Sequence, residues 1–393
     1  MKRFLCIVLA LTAWTVRSYA GWTTSSLNFD GHVRSYMTYT PANYNPAVPA
    51  SLIVVLHGLG GSMTDVAGVG ISQIADTANI ILLSPQALDF NSPLGLIESA
   101  WNSGIAVTVP GLGTIPVNPD IDDVGFVNAM MDIAQSTYSI RAGRVYVCGA
   151  SMGGFLTQRL ACESASRFAA VASVMGTYAL ALPPCNPGKM LPVAHFHGTA
   201  DNVVSYNGEL QYSGMTFPVG LSVDSLIRKW VVNDACAAEP VHENRPDVNG
   251  DGISSDHYLY SDAQGRSRVE LFRVNGGMHA WYQNSNTGGE LDYSLEIWKF
   301  FNKQYQYETT GIAGVNPSSV NIKVYPNPAG QRLFVSSDKT VNVSLSDISG
   351  KMIRYQDAVG KEGMDIATLA PGTYLVRLQS ADGSTTVKKI CKL

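Results

Sequence analysis

Apolar and polar positions along the middle of the chain follow two alternating patterns. Short runs of consecutive apolar residues are separated by longer segments in which apolar residues recur every three or four positions. Consecutive runs are typical of strands covered on both faces, whereas the longer period is typical of amphipathic helices. The alternation predicts an α/β fold with a mostly parallel sheet and helices on both faces. The predicted strands are Leu52–Leu56, Ile80–Leu83, Val145–Cys148, Ala170–Val174, Val193–His197 and Val269–Val274, preceded by a hairpin of Ser25–Phe29 and Val33–Thr40 around an Asp-Gly turn. The predicted helices are Val66–Ala78, Asp122–Tyr138, Gly153–Cys162, Leu221–Val232 and Leu291–Lys303.

The pattern changes again toward the C-terminus. Residues 305–321 are rich in Thr, Gly, Asn, Pro and Ser and show no periodicity, which predicts a linker. Residues 322–393 then contain short alternating segments, of which Val341–Leu345 is the clearest, between Gly-containing turns. These segments predict a small C-terminal all-β sandwich domain, separate from the α/β domain of residues 21–304.

The N-terminus has the features of a secretory signal peptide. Lys2 and Arg3 precede the mostly apolar segment Phe4–Val16, and small residues lead up to Ala20. The apolar segment is shorter than the roughly 20 residues that a spanning helix needs, and no later run reaches that length. We therefore predict a signal peptide over residues 1–20, with a non-cleaved anchor helix as the alternative.

Composition and charge exclude several classes of protein. Hydrophobic residues make up 46% of the 393 residues and charged residues 15%, which is an ordinary globular composition. The net charge of −4 gives no sign of a basic surface for nucleic acid. Charge is nevertheless unevenly distributed, because residues 21–321 carry −11 and residues 322–393 carry +4. This difference supports two modules with different roles.

One short motif points to nucleophilic catalysis. Ser151 lies in the sequence GASMGG, directly after a predicted strand and at the start of a predicted helix. The G-x-S-x-G nucleophile elbow requires this context, because the chain must turn sharply and the flanking positions have no room for a Cβ. Ser151 is therefore the predicted nucleophile, and a Gly- and Ser-rich turn without chemistry is the alternative.

A serine nucleophile needs a base and an acid that orients the base. In this fold they follow the serine in the order acid, then histidine. Asp201 lies just after one predicted strand and His279 lies in a Gly-rich loop after another, so both reach the same sheet edge as Ser151. Asp201 is the predicted acid and His279 the predicted base; a turn-capping aspartate and an ordinary loop histidine are the alternatives.

Three other histidines lie in the same part of the sequence. His195 and His197 precede the acid position and are therefore predicted to be strand or support histidines. His257, in a polar stretch, is a weaker alternative base.

Acyl transfer also needs donors for the developing oxyanion. One predicted donor is the backbone N–H of Met152, the residue after the nucleophile. The other is the N–H of Leu59, in the early loop HGLGG, for which a plain Gly-rich turn is the alternative reading. Trp101 and Trp281 are the predicted substrate-binding residues, although core packing would account for either one.

Metal ions and cofactors are not required by this chemistry. Asp247–Gly252 resembles the start of a calcium loop, but position 12 of such a loop would be Tyr258 instead of glutamate, so we predict a polar loop. Among Cys162, Cys185 and Cys236 one disulfide is expected, and the sequence does not choose the pair.

Six stretches of residues 21–304 resemble the polyhydroxybutyrate depolymerase and feruloyl esterase group of α/β-hydrolases. They are LIVVLHGLGGS, DDVGFVNAMMD, RVYVCGASMGG, HFHGTADNVVSYNG, WVVNDAC and NGGMHAW. The resemblance implies hydrolysis of carboxylic esters, such as polyester chains or feruloyl and acetyl groups on plant polysaccharides. It also assigns the nucleophile, acid and base to Ser151, Asp201 and His279.

The tail resembles the C-terminal sorting domain of type IX secretion systems. The resemblance lies in VYPNPAG, VSLSDISGKMI, LAPGTYLVRL and the closing KKICKL. It implies export to the cell surface or beyond by that secretion machinery. The sequence as a whole therefore predicts a secreted serine esterase; the alternatives are a serine peptidase of the prolyl-oligopeptidase type and a non-catalytic binding protein on a hydrolase scaffold.

Overall fold

The computed structural model describes most of the chain after the predicted signal peptide. The described residues are 21–93, 95–212, 214–283, 291–310, 323–336, 341–347, 352–356, 363–380 and 385–393. The chain divides into two compact units, one of residues 1–263 and 267–311 and the other of residues 264–266 and 312–393. The predicted signal peptide and residues 311–321 of the predicted linker lie outside the described residues.

The first unit alternates strands and helices. Its helices are α1 (Ile71–Ala78), α2 (Asp123–Thr137), α3 (Met152–Glu163), α4 (Val223–Asn233) and α5 (Tyr293–Thr310), with 3₁₀ turns at Asp65–Gly68 and Ala165–Arg167. Its strands are β1 (Gly21–Phe29), β2 (His32–Thr40), β3 (Ala50–Leu56), β4 (Ile80–Pro85), β5 (Phe90–Ser92), β6 (Gly95–Ile97), β7 (Ala106–Val109), β8 (Gly113–Pro116), β9 (Ile140–Ala150), β10 (Ala170–Val174), β11 (Val193–Gly198), β12 (Glu209–Tyr212), β13 (Met215–Pro218), β14 (Val241–Arg245), β15 (Ser254–Ser261) and β16 (Ser267–Asn275).

A single large sheet forms the centre of this unit. Within the described residues it has ten strands in the order β1-β2-β4-β3-β9-β10-β11-β16-β15-β14. The six strands from β4 to β16 are parallel, and the two strands at each edge are antiparallel. The predicted mostly parallel sheet is therefore confirmed.

The helices cover both faces of the sheet because the central strands are apolar on both. Along β3, Leu52 and Val54 pack in the core under α2, α3 and α4, whereas Ile53 and Val55 pack in the core under α1 and α5. Side chains alternate between faces along a strand, so a continuous apolar run supplies both cores.

Two features of this unit differ from the prediction. Helix α5 continues to Thr310, so residues 305–310 are helical and do not belong to the linker. The extension is held by Gln304, which is buried and donates to the Ser267 carbonyl, and by Arg144, whose guanidinium lies 4.2 Å from the centre of the Tyr305 ring. In addition, three short hairpins, β5–β6, β7–β8 and β12–β13, interrupt the α/β pattern.

The second unit is built from strands. They are β17 (Lys323–Tyr325), β18 (Arg332–Ser336), β19 (Val341–Asp347), β20 (Met352–Gln356), β21 (Met364–Asp365), β22 (Gly372–Ser380) and β23 (Thr385–Lys392). In the part that is described, β17, β18 and β21 form one sheet and β20, β19, β22 and β23 form another. Leu333, Val343, Leu345, Val376 and Leu378 are fully buried in its core. No helix among the described residues of either unit is long and apolar enough to span a membrane.

Candidate active site

Ser151 occupies a strained turn between β9 and α3. Its backbone has φ 54° and ψ −120°, in the region that residues other than glycine rarely adopt. A Cβ at position 149 would lie 2.4 Å from the Gly153 carbonyl oxygen, and a Cβ at position 153 would lie 2.4 Å from the Leu56 carbonyl oxygen. Both glycines of the motif are therefore required by close backbone packing.

Asp201 and His279 meet at the same edge of the sheet. Asp201 follows β11 and His279 follows β16, and these two strands are parallel neighbours. The Nδ1 of His279 lies 2.7 Å from Oδ2 of Asp201, and the other carboxylate oxygen accepts the N–H groups of Val203 (2.9 Å) and Val204 (3.0 Å). Since both amides can only donate, Oδ1 is fixed as their acceptor and Oδ2 is left to accept from His279.

Ser151 and His279 line the same two cavities. One, of about 330 Å³, extends along the Gly-rich early loop to Ala280 and Trp281, and we call it the Trp281 cleft. The other, of about 450 Å³, extends over Met152 between the three short hairpins, and we call it the hairpin pocket. The nucleophile and base predicted from the sequence thus face common space.

The two predicted oxyanion donors flank Ser151. Met152 is the first residue of α3, where a backbone N–H has no partner within the helix. Leu59 lines both cavities, and among the described residues no acceptor binds its N–H. A Cβ at residue 58 would lie 3.3 Å from the Cβ of Ser151, so the early loop passes directly beside the serine.

His57 fixes this loop, a role that the sequence analysis missed. Its Nε2 accepts the Ala87 N–H (3.1 Å), so its proton must be on Nδ1, which donates to the Gly58 carbonyl (2.7 Å). Burial lowers the pKa of His57 and keeps the ring neutral. The signal in the sequence was the position of His57, between an apolar strand and the glycines.

His195 and His197 belong to a chain of buried hydrogen bonds behind Asp201. The chain has a fixed direction, because the Trp230 indole at one end can only donate and the Val204 carbonyl at the other can only accept. Burial lowers the pKa of both histidines, which makes them neutral links. In order, the donors and acceptors are Trp230 Nε1 to Gln158 Oε1 (2.8 Å), Gln158 Nε2 to Ser173 Oγ (2.7 Å), Ser173 Oγ to His195 Nδ1 (2.7 Å), His195 Nε2 to His197 Nδ1 (3.1 Å) and His197 Nε2 to Val204 O (2.9 Å).

The two tryptophans expected to bind substrate differ. Trp281 is partly exposed and lines the Trp281 cleft, with its indole N–H on Ser294 Oγ (3.1 Å). Trp101 is 0% exposed; its indole N–H donates to the His57 carbonyl (2.9 Å) and its backbone N–H to Met152 Sδ (3.2 Å). Trp101 therefore has no surface for a substrate and supports the early loop and the elbow from beneath.

The weaker alternative base, His257, lies elsewhere. Its ring on β15 contacts Glu270 (2.8 Å) and Glu243 (3.3 Å), so it is part of a structural ion-pair group.

The Asp247 carboxylate accepts the N–H groups of Gly250 (2.6 Å) and Gly252 (2.9 Å) within its own loop. Among the described residues, no cluster of acidic, histidine or cysteine side chains is arranged to hold a metal ion.

The disulfide that the sequence left open joins Cys162 at the end of α3 to Cys185 in the following loop. The third candidate, Cys236, is a free thiol, as are the buried Cys148 and the exposed Cys391.

The strand order, the elbow between β9 and α3, and the loops of Asp201 and His279 at one sheet edge define an α/β-hydrolase fold. Solved structures similar to this chain include an acetyl xylan esterase from Aspergillus awamori (12% identity, covering 72% of this chain and 99% of that one, TM-score 0.46). Another is the ferulic acid esterase AmCE1/Fae1A of Anaeromyces mucronatus (13% identity, covering 74% and 92%, TM-score 0.42).

Two curated proteins are similar to this chain in sequence. The chain is 27% identical over 252 residues to feruloyl esterase B of Piromyces equi, a match that covers 63% of this chain and 42% of that protein. It is 28% identical over 283 residues to feruloyl esterase D of Neurospora crassa, covering 71% and 85%. The chain thus spans less than half the length of the first relative. The resemblance to the feruloyl esterase group is confirmed, and that to polyhydroxybutyrate depolymerases stays a prediction.

Residues 323–392 match the family model of the secretion system C-terminal sorting domain. This match confirms the predicted type IX tail. The protein is accordingly a secreted or cell-surface protein.

Proposed function

We propose that this protein is a secreted serine carboxylic-ester hydrolase. The observation that carries the proposal is the 2.7 Å contact of His279 Nδ1 with Asp201 Oδ2 at the sheet edge where Ser151 occupies a strained elbow. The acid, the base and the nucleophile are then Asp201, His279 and Ser151, in the roles that acyl transfer requires.

The fixed bonds of Asp201 supply the tautomer that the reaction needs. With Nδ1–H donated to Oδ2, the Nε2 of His279 is free to take the proton of the Ser151 hydroxyl. The Ser151 oxygen bonds to the ester carbonyl carbon, and the N–H groups of Leu59 and Met152 bind the resulting oxyanion. The C–O bond to the alcohol then breaks, and the alcohol leaves with the proton from His279.

Water completes the cycle by the same steps. His279 takes a proton from a water molecule, and the oxygen of that water bonds to the acyl carbon. The Ser151 oxygen then leaves and recovers a proton from His279. No step needs a metal or cofactor.

Names of the relatives favour feruloyl or acetyl esters of plant polysaccharides as substrates, and polyhydroxyalkanoate-type polyesters are the other candidates. The C-terminal domain would engage the secretion machinery.

The test uses purified protein from residue 21 to residue 393. p-Nitrophenyl acetate, methyl ferulate and an aminoacyl-proline amide are compared for the wild type, Ser151→Ala and Ser136→Ala, a matched serine variant on the exposed end of α2. We expect both esters to be cleaved and the amide to persist, with ester kcat reduced about 10⁵-fold or more in Ser151→Ala alone.

Two results would contradict the proposal. If Ser151→Ala hydrolyses esters as fast as the wild type, the nucleophile is wrong. If the proline amide is cleaved and the esters are not, the protein is a peptidase.

A further inference from the structure

The early loop carries one of the two proposed oxyanion donors, the N–H of Leu59. The loop lies between β3, which ends at Leu56, and the 3₁₀ turn at Asp65–Gly68, so its backbone is outside the regular elements of the fold. A donor stabilises an oxyanion best when its direction is fixed before the reaction. The residues that fix the early loop therefore decide how well Leu59 can bind the oxyanion.

Two consecutive residues directly after β4 hold the early loop at both ends. At its start, the Ala87 N–H donates to the ring of His57 (3.1 Å). At its end, the side-chain amide of Gln86 binds the backbone, because Oε1 accepts the Met63 N–H (2.9 Å) and Nε2 donates to the Gly61 carbonyl (3.4 Å). The proposed donor lies between these two attachments.

The orientation of the Gln86 amide is determined by its partners. A backbone N–H can only donate and a backbone carbonyl can only accept, so Oε1 must face Met63 and the NH₂ group must face Gly61. The same NH₂ group donates to Ser99 Oγ (2.9 Å). An amide with its two groups exchanged would lose both backbone contacts. The position therefore requires an acceptor and a donor on one side chain, which glutamine supplies.

Ser99 extends this attachment to Gly60, the residue after the proposed donor. The Ser99 carbonyl accepts the Gly60 N–H (3.3 Å), and the Ser99 N–H donates to a carboxylate oxygen of Asp89 (2.9 Å). Ser99 has φ 47°, in the left-handed region that residues other than glycine adopt only when their surroundings enforce it. The contact of its hydroxyl with Gln86 is one of those that do so. Both residues that follow the proposed donor are therefore fixed through Gln86.

Gln86 holds the early loop from outside the two cavities. Among the described residues that line the Trp281 cleft and the hairpin pocket, Gln86 is absent. Its backbone is held by β2, because its N–H donates to the Ser35 carbonyl (2.9 Å) and its carbonyl accepts from the Arg34 guanidinium (3.3 Å). The side chain therefore links the central sheet to the early loop.

We propose that Gln86 is a positioning residue that keeps the N–H of Leu59 directed at the oxyanion. This inference rests on the proposed esterase function, because the early loop has an oxyanion to bind only if Ser151 attacks an ester. Without the amide, Met63 and Gly61 each lose a partner, and the loop is free to move away from the elbow. Loss of an entire oxyanion donor lowers kcat about 10²- to 10³-fold, so a displaced donor should lower it by part of that factor.

The first experiment compares two glutamine variants. Gln86→Met keeps the length of the side chain and removes its hydrogen bonds, and kcat for p-nitrophenyl acetate should fall about thirtyfold with KM within about twofold of the wild type. Gln304→Met is the matched control, because Gln304 also donates to a backbone carbonyl, that of Ser267 (2.8 Å), but at the opposite end of β16 from His279. Both variants should lower the melting temperature, and Gln304→Met should leave kcat within about twofold of the wild type.

A pair of ketones separates a misdirected donor from a general loss of structure. In a trifluoromethyl ketone, the Ser151 oxygen bonds to the carbonyl carbon, His279 takes the hydroxyl proton, and the carbonyl oxygen becomes an oxyanion. Benzylacetone, an ordinary methyl ketone, binds without this step. For Gln86→Met we expect the inhibition constant of the trifluoromethyl analogue of benzylacetone to rise about thirtyfold, and that of benzylacetone itself to change less than about twofold. Equal changes for the two ketones would overturn the proposal.

A smaller change at Ser99 decides the proposal if circular dichroism shows that Gln86→Met does not fold. Ser99→Ala removes the hydroxyl that the Gln86 amide binds and keeps the backbone groups of residue 99. We expect the inhibition constant of the trifluoromethyl ketone to rise about threefold and that of benzylacetone to stay the same. Unchanged constants for both ketones would contradict the role of Gln86.

The outcomes distinguish the positioning role from the esterase function. If the wild type hydrolyses esters and Gln86→Met and Gln304→Met lower kcat by the same factor, the positioning role is overturned and the esterase function stands. If the wild type hydrolyses no ester, the esterase function fails, and the positioning role fails with it.

Discussion

The carboxyl ends of the central strands and the three short hairpins meet at Ser151 but are built differently. Asp201 and His279 follow strands that are almost wholly buried, and Ser151 lies between a strand and a helix packed on each other's backbone. The hairpins have strands of three or four residues, most of them partly exposed. The proposed chemistry therefore depends on the buried sheet, and we expect substrate choice to depend on the walls added to it.

This difference predicts two kinds of mutant. Changes at the strand ends should lower kcat or the free energy of unfolding for every substrate alike. Changes in the hairpins should alter the ranking of substrates, because those walls contact only the variable part of the ester. A hairpin variant that lowered kcat equally for all esters would break the distinction.

After loss of the proposed nucleophile itself, the largest effect is expected for Asp201→Asn. The Val203 and Val204 amides will hold the oxygen of the new side chain, so its NH₂ group must face Nδ1 of His279. That arrangement places the histidine proton on Nε2, where it cannot accept from Ser151. We expect kcat to fall about 10⁴-fold with p-nitrophenyl acetate while KM changes little.

The matched control is Asp251→Asn, in the exposed loop after β14, where among the described residues the aspartate accepts the Ile253 N–H and an Asn249 amide of its own loop. This variant should retain full activity. A reduction of less than tenfold in Asp201→Asn would show that Asp201 does not set the tautomer.

A smaller effect, on stability instead of catalysis, is expected for Glu270→Gln on β16. Burial of Glu270 opposes its ionisation, but Lys303 and His257 outweigh burial and lower its pKa from near 4.5 to about 2. Removing this charge leaves two basic groups beside an uncharged buried side chain. We expect the free energy of unfolding at pH 7 to fall by about 3 kcal/mol, measured by urea titration, with kcat nearly unchanged.

The pH dependence of that difference has a definite sign. Because the pKa of Glu270 is lower in the folded protein, its contribution is present above pH 4.5 and is lost as the pH falls toward 2. The difference in free energy of unfolding between the wild type and Glu270→Gln should therefore disappear as the pH falls from 4.5 toward 2. Glu243→Gln, which removes the exposed partner of His257, should lower the free energy of unfolding by less than 1 kcal/mol. Equal losses in the two variants would contradict the assignment.

The rigid side of the site was also the part that the sequence predicted. Continuous apolar runs identify strands covered on both faces, and parallel strands bring residues far apart in sequence to one edge. That reasoning placed Asp201 beside His279, and the close backbone packing of Gly149 and Gly153 explains why the elbow has a local signature.

The parts that the sequence missed depend on packing between distant segments. Hairpin strands of three or four residues are too short for a periodic signal. Trp101 reads as a possible binding residue in sequence, yet its partners, the His57 carbonyl and Met152 Sδ, lie 44 and 51 positions away. Cys185 is paired with Cys162 by the loop that follows β10, which local sequence does not specify.

The smallest effect on kcat is expected for substitutions in the buried chain of hydrogen bonds behind Asp201. These substitutions test how far from Asp201 the residues that position it extend. His197 Nε2 donates to the Val204 carbonyl and lies 3.6 Å from Asp201 Oδ2, so it fixes the short loop that aims the carboxylate. In His197→Leu that carbonyl loses its partner, and we expect kcat to fall about tenfold with little change in KM, because misplacement of a catalytic group affects the chemical step.

Ser173→Ala interrupts the same chain two links farther from Asp201. Both variants leave buried polar groups unpaired, so both should lower the melting temperature. Only His197→Leu touches the Asp201 loop, and only it should lower kcat, whereas His197→Asn, with an amide that can donate toward the same carbonyl, should recover part of the activity. If kcat fell equally in His197→Leu and Ser173→Ala, the chain would serve stability alone, and the positioning of Asp201 would depend on the Val203 and Val204 amides.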